Sequence, residues 1–169
     1  MSVLIGASPL VTYATATNTT PVLGGGKGFT VGARMAARNG KEYVFAQSAT
    51  SIAVGDVVAI ASDTGIAAGL TTATSAASET IGVAQVALAS GDYGWVQIYG
   101  ACGVKVLGSA VKAVPLFSTV TAGSLDDATA SNYLVSGIQI LSTNPSATAT
   151  VMSAFIAYPK VRIMAGVLG

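Results

Sequence analysis

The residue types that do chemistry are few in this sequence and poorly grouped. In 169 residues there is no histidine, one cysteine and seven carboxylates. Without histidine the chain has no side chain that ordinarily titrates between pH 5 and 8. Cys102 has no imidazole to take its proton and no second thiol to pair with. It reads as a small buried hydrophobe on a strand. A Cys/His zinc set is excluded by the same count. Among the carboxylates, Asp126-Asp127 is the one adjacent pair. Neighbours on a strand point to opposite faces, so these two are not expected to share a proton. They read as a solvated turn after Gly123-Ser124. Calcium there would want alternating oxygen ligands, which the segment lacks. Asp56 and Asp92 each follow a glycine and close turns. Asp63 and Glu79 could be paired as in a glycosidase only by chance. Gly24-Gly25-Gly26-Lys27-Gly28 imitates a phosphate loop. However, Lys27 is followed by glycine instead of Ser or Thr, and no strand or helix frames it. No GxSxG occurs. These absences argue against an enzyme and against any bound cofactor or metal.

The remaining chemistry is aromatic. Tyr93, Trp95 and Tyr99 fall on one face of an alternating strand. They could offer a platform for sugar rings, which defines one functional alternative, a carbohydrate-binding or adhesion module. The competing reading places Trp95 in a core or a subunit interface, where aromatic residues also dominate.

The elements that must position these residues read as strands. Residues 81–100, IGVAQVALASGDYGWVQIYG, form two strands around a turn at Ala89-Ser90-Gly91-Asp92. Residues 101–107 continue as a strand, and further strands are expected at 42–47, 57–61, 115–120, 133–141 and 148–158, the last ended by Pro159. Gly100, Gly103 and Gly108 mark bends or bulges. Asn39-Gly40 is a turn signal, and GARMAAR at 32–38 fits a turn or two of helix. Residues 70–78 read as a surface loop. Eight or nine short strands at spacings of about 8–12 residues predict an all-β protein, a small antiparallel barrel or sandwich.

Residues 1–40 differ from the rest. They carry short apolar groups, a threonine-rich stretch and three consecutive glycines, and they read as an extended amino-terminal arm ahead of a β domain over 41–169. The arm's contact residues are expected to be Leu4, Ile5, Leu10, Val11, Tyr13, Val22 and Leu23. No run in the chain suits a signal peptide or membrane span.

Charged residues make up 9% of the chain and hydrophobic ones 51%, with a net charge of +1. An average domain is about 25% charged. So few charges favour a protein that hides surface inside an assembly. With no basic stripe, direct nucleic-acid binding is not expected. Residues 148–158 are apolar on both faces, with Val151 and Phe155 on one and Met152, Ile156 and Tyr158 on the other. Such a strand needs cover on both sides, which also argues for self-association.

GVAQVALASGDYGWVQIYG, with VGDVVAI before it and TAGSLDD after it, resembles a family of small tailed-phage virion proteins. These are capsid decoration, cement or head-fibre-base proteins, and the similarity spans residues 42–159. The resemblance implies a location on the capsid exterior after synthesis in the host cytoplasm. It implies the major capsid protein as partner, self-association as a trimer, and in some cases a head fibre. The implied function is cementing of neighbouring capsomers.

Overall fold

The computed structural model describes residues 9–12, 29–72, 79–128 and 133–164. These residues are almost entirely β. The strands are β1 (Arg34–Ala36), β2 (Glu42–Ser48), β3 (Val57–Ile60), β4 (Ile66–Gly69), β5 (Thr80–Ala84), β6 (Tyr93–Val106), β7 (Leu116–Ser118), β8 (Leu125–Asp126), β9 (Tyr133–Ile140) and β10 (Thr150–Ile163). β2, β4, β3, β5 and β6 pair in that order, and β6 returns to β2, closing a five-stranded barrel. β1 adds to the outer edge of β2, and the sheet continues from β6 through β10, β9, β7 and β8. β8 meets β6 again at one parallel pairing, Val106 with Leu125. The all-β barrel expected from the sequence is therefore present.

Alternation along the strands explains three separate cores. Val44 and Ala46 of β2, Val58 and Ile60 of β3, and Val96 and Ile98 of β6 belong to the cluster that fills the barrel. Ile52 and Leu88 join it from the loops and bridge to each other. The opposite face of β3 and β5, through Val57, Ala59, Ile81 and Val83, packs on β6, β9 and β10. The opposite face of β2 and β6 presents Tyr43, Phe45 and Trp95, covered by Met35 of β1 and by Phe29. Strands with apolar side chains on both faces are stable only when both faces are dry.

β6 serves all three cores by changing partner midway. Residues 93–99 pair with β2, and residues 99–106 pair with β10. The bend falls at Gly100, whose φ is +102°. A side chain there would be strained and would crowd Lys41 and the Gly40 carbonyl. The buried Gln97 pins the bend, its amide donating to the carbonyls of Tyr99 and Ala101, each at 3.0 Å. The bend and the continuation of the strand beyond it, through Val106, are both as the sequence predicts.

Residues 32–38 are not helical. Arg34–Ala36 is a strand paired with β2, joined to it through a turn in which Asn39 and Gly40 both have positive φ. The turn chemistry of Asn39-Gly40 decides the local structure, and neighbouring β2 supplies backbone partners that a two-turn helix would lack. Leu70, read as part of a surface loop, is fully buried in the core.

β10 also departs from expectation by running through Pro159. Its register with β9 jumps from Ile156–Ile138 to Lys160–Ser136. Ala157, Tyr158 and Pro159 thus stand opposite Gly137 alone. A bulge needs no ladder N–H at every position, so proline is tolerated. The bulge shifts the alternation: Pro159 and Val161 turn inward and Tyr158 turns out. Tyr158 is therefore not on the Ile156 face.

Gly82 sets the spacing between β5 and β6. A Cβ there would lie 2.5 Å from Val96 Cγ1 and 2.8 Å from the Gln97 carbonyl oxygen. Gly82→Ala should lower unfolding stability by about 1–3 kcal/mol, the usual cost of overpacking. Urea titration followed by circular dichroism measures it, and an unchanged midpoint would mean that the two strands are not held this closely.

Candidate functional site

The bulge in β10 builds the most distinctive surface of the molecule. Tyr158 adopts φ +46°, a conformation rare for a bulky residue. Its ring lies 5.2 Å from that of Tyr99, and Tyr99 meets Phe155 edge-on at 5.5 Å. The nearby Glu42 carboxylate is the main reason the Tyr158 pKa lies above the ordinary tyrosine value. Phe155 and Tyr158 remain 41% and 46% exposed. A backbone held in an unfavourable region at a surface aromatic is the kind of strain that collects at functional positions. A shallow cleft beside the cluster is lined by Gly137, Ile138, Gln139, Phe155 and Ala157.

Four cations lie on or next to the strands that carry or adjoin this cluster. Arg34 contributes to the potential at Tyr158. Lys41 lies against the Gly100 bend, one residue from Glu42. Lys160 and Arg162 follow Tyr158 on the same strand, two and four residues on, and both are exposed. At about 3.3 Å per residue they lie roughly 7 and 13 Å along β10. Glu42 is the one carboxylate on β1, β2 or β10, while the others occur on different elements. Arg34 also borders a cleft that contains Asp63.

Trp95 is not part of this surface. It is 1% exposed and sits among Phe29, Phe45 and Met35. Phe29 and Phe45 approach its ring at 5.1 and 5.0 Å. A ring so covered offers no face to a sugar, so the reading of Trp95 as core holds. Tyr93 stacks on Phe45, and Tyr99 alone of the three joins the exposed cluster. The sequence missed Phe155 and Tyr158 as partners of Tyr99 because strict alternation separates them; only the bulge unites them.

The carboxylates are arranged differently from expectation in one case. Asp126 and Asp127 lie within hydrogen-bonding reach of each other, because β8 ends at Asp126 and strand alternation stops there. Asp127 accepts the Val111 N–H at 3.0 Å, and its own N–H donates to Asp126 at 2.9 Å. Burial raises the pKa of Asp126, and the contact with Asp127 raises it further. Burial likewise raises Glu79, with a smaller push from Asp63. Asp56 closes its turn as expected, accepting the Ala53 N–H at 2.8 Å and pairing with Lys105 at 3.1 Å. Among the described residues no group of three or more metal-ligating side chains is gathered.

Of the expected arm contacts, Leu10 and Val11 are 65% and 45% exposed. Leu4, Ile5, Tyr13, Val22 and Leu23, and the glycine run at 24–28, lie outside the described residues. Among the described residues no helix is long and apolar enough to cross a membrane.

Two predictions follow from the titrating groups. Burial pushes the Cys102 thiol up to about 12, with Lys41 opposing only weakly. The folded protein should therefore resist alkylation at pH 7.5, and Cys102→Ala should cost at most about 2 kcal/mol. Rapid labelling of folded protein would show a reactive thiol instead. The second concerns pH. A carboxyl whose folded pKa lies above its unfolded value binds more protons when folded, so stability falls as pH rises through that window. For Glu79 the window opens near 4.5 and for Asp126 near 3.8. Glu79→Gln and Asp126→Asn should each gain stability relative to the parent as pH rises from 4 to 7. Chemical denaturation at several pH values reads this, and a parallel pH dependence of variant and parent would contradict it.

The chain matches no protein-family model and no curated protein.

Proposed function

We propose that this protein is a structural component of a tailed-phage particle that binds the outer surface of the head and cements neighbouring capsomers, without catalysis. The observation that carries this reading is the uncovered face of β10. The other long strand, β6, buries its large apolar side chains Trp95, Val96, Ile98, Val104 and Val106, whereas β10 leaves Val151, Phe155 and Tyr158 exposed. Large apolar side chains grouped on one exposed strand face mark a surface for a partner. The charge-poor composition and the resemblance of residues 42–159 to decoration proteins point the same way.

The mechanism is mechanical. Packed DNA presses outward on a head, and a protein that bridges two capsomers raises the barrier to their separation. Each contact need not be strong, because a trimer held at several points gains by avidity. The arm, through Leu4, Ile5, Leu10, Val11, Tyr13, Val22 and Leu23, extends that grip across the major capsid protein. Backbone hydrogen bonding of an extended segment to a sheet edge suits its Thr- and Val-rich sequence. A head fibre is a further partner that such a base can carry.

Deleting residues 1–26 tests the arm. Among the described residues, the first that packs on the aromatic core is Phe29, which the deletion retains. The truncated chain should keep its β circular-dichroism spectrum. Its affinity for heads lacking the protein should fall by about tenfold or more, equivalent to about 1.4 kcal/mol. Undiminished co-sedimentation would refute the anchoring role, and a lost β spectrum would show that the arm belongs to the domain's own core.

A further inference from the structure

We infer that the Tyr99–Phe155–Tyr158 cluster is the docking anchor of this protein, and that it seats on an apolar patch rimmed by carboxylates on a partner protein's surface. This rests on the reading of the chain as a capsid-binding protein and specifies the face and the chemistry that face selects.

The argument starts from composition. The chain has eight cations for its whole length. Five of them, Arg34, Arg38, Lys41, Lys160 and Arg162, lie on β1, on the turn after it, or on the carboxyl-terminal half of β10. The one carboxylate on these elements, Glu42, stands opposite Tyr99 in the β2–β6 ladder. The turn bearing Arg38 and Gly40 packs on β6 beside Gly100, the residue that follows Tyr99. An apolar centre with a like-charged rim is the anatomy of a specific protein interface, with aromatic anchors inside and charges at the edge. The sign of the rim selects its complement. A second copy would bring the same cations against these cations, which costs energy, whereas an acidic rim is attracted. The surface is too apolar at its centre for nucleic acid to be the better fit, since phosphate contacts need the cations themselves at the middle of the footprint.

The strain at Tyr158 fits the same role. The bulge and the ring contact with Tyr99 hold Tyr158 outward before any partner arrives, so little rotamer freedom is lost on docking.

The test is co-sedimentation of purified protein with heads lacking it, at about 50 and about 300 mM salt, where screening lengths differ. Light scattering is run in parallel. The parent should bind, and bind less at high salt. Phe155→Ser with Tyr158→Ser should lose about tenfold or more at both salts. Lys160→Glu with Arg162→Glu, at exposed positions where folding is not at stake, should lose binding at low salt and lose the salt dependence. Val120→Ser, on an exposed residue outside the cluster, should bind as the parent does. If the parent binds but the cluster and rim variants bind equally well, the inference falls while the capsid reading stands. If those variants instead lower the oligomer mass, a second copy occupies the face and the inference is overturned. If the parent does not sediment with heads at all, both fall together.

Discussion

Strand β6 gives side chains to all three apolar cores along its 14 residues, and the rest of the architecture follows from covering them. One face of residues 93–99 closes over the barrel interior, and the other lies under β1 and Phe29. Past Gly100 the strand turns away from β2 and gives residues 104 and 106 to a second core shared with β9 and β10. Each methylene moved out of water contributes roughly 0.8 kcal/mol, so a strand that left one such face wet would forfeit much of the margin by which small domains stay folded. The bend at Gly100 lets one strand satisfy three cores. It depends on a residue without a Cβ and on the Gln97 amide that ties the two sides of the bend together.

Against that rule the outer face of β10 is the exception. Val151 has partial cover, since it nests over Gly55 and Gly103, where a methyl group would collide with it. Further along, Phe155 and Tyr158 both pack on the ring of Tyr99 and stay largely exposed. The bulge that exposes Tyr158 also breaks the β9 ladder and admits a proline into a strand. Places where a sequence breaks the rules it otherwise keeps are commonly functional. The proposed role on a phage head gives this exception a reason, since the fold supplies a rigid scaffold and leaves one patch for a partner.

Much of the scaffold was legible from residue pattern alone, because period-two alternation and glycine-containing turns are local signals. The strands at 42–47 and 57–61 and the turn at Asp92 are of this kind. β4 was missed because Ile66–Gly69 is short and mostly Ala and Gly, so it carries almost no alternation. The helix expected at 32–38 failed because alanine-rich propensity was outweighed by a hairpin turn and a waiting sheet edge. The candidate site was the least legible part. Tyr99 was singled out on the wrong grounds, together with Trp95, which the three-layer packing buries. Tyr158 and Phe155 come together through a bulge set by long-range register, and register is not written in either segment separately. The same holds for Asp126 and Asp127: their contact depends on where β8 stops.

The account's central claim is that the β10 face seats this protein on the exterior of a phage head. A cryo-EM map of the native particle at side-chain resolution tests it most directly. The claim predicts density for this fold outside the shell, with Phe155 and Tyr158 turned toward the capsid and carboxylates of the capsid protein opposite Lys160 and Arg162. Density showing the cluster facing solvent, or no copy of the fold on the outer surface, would contradict it.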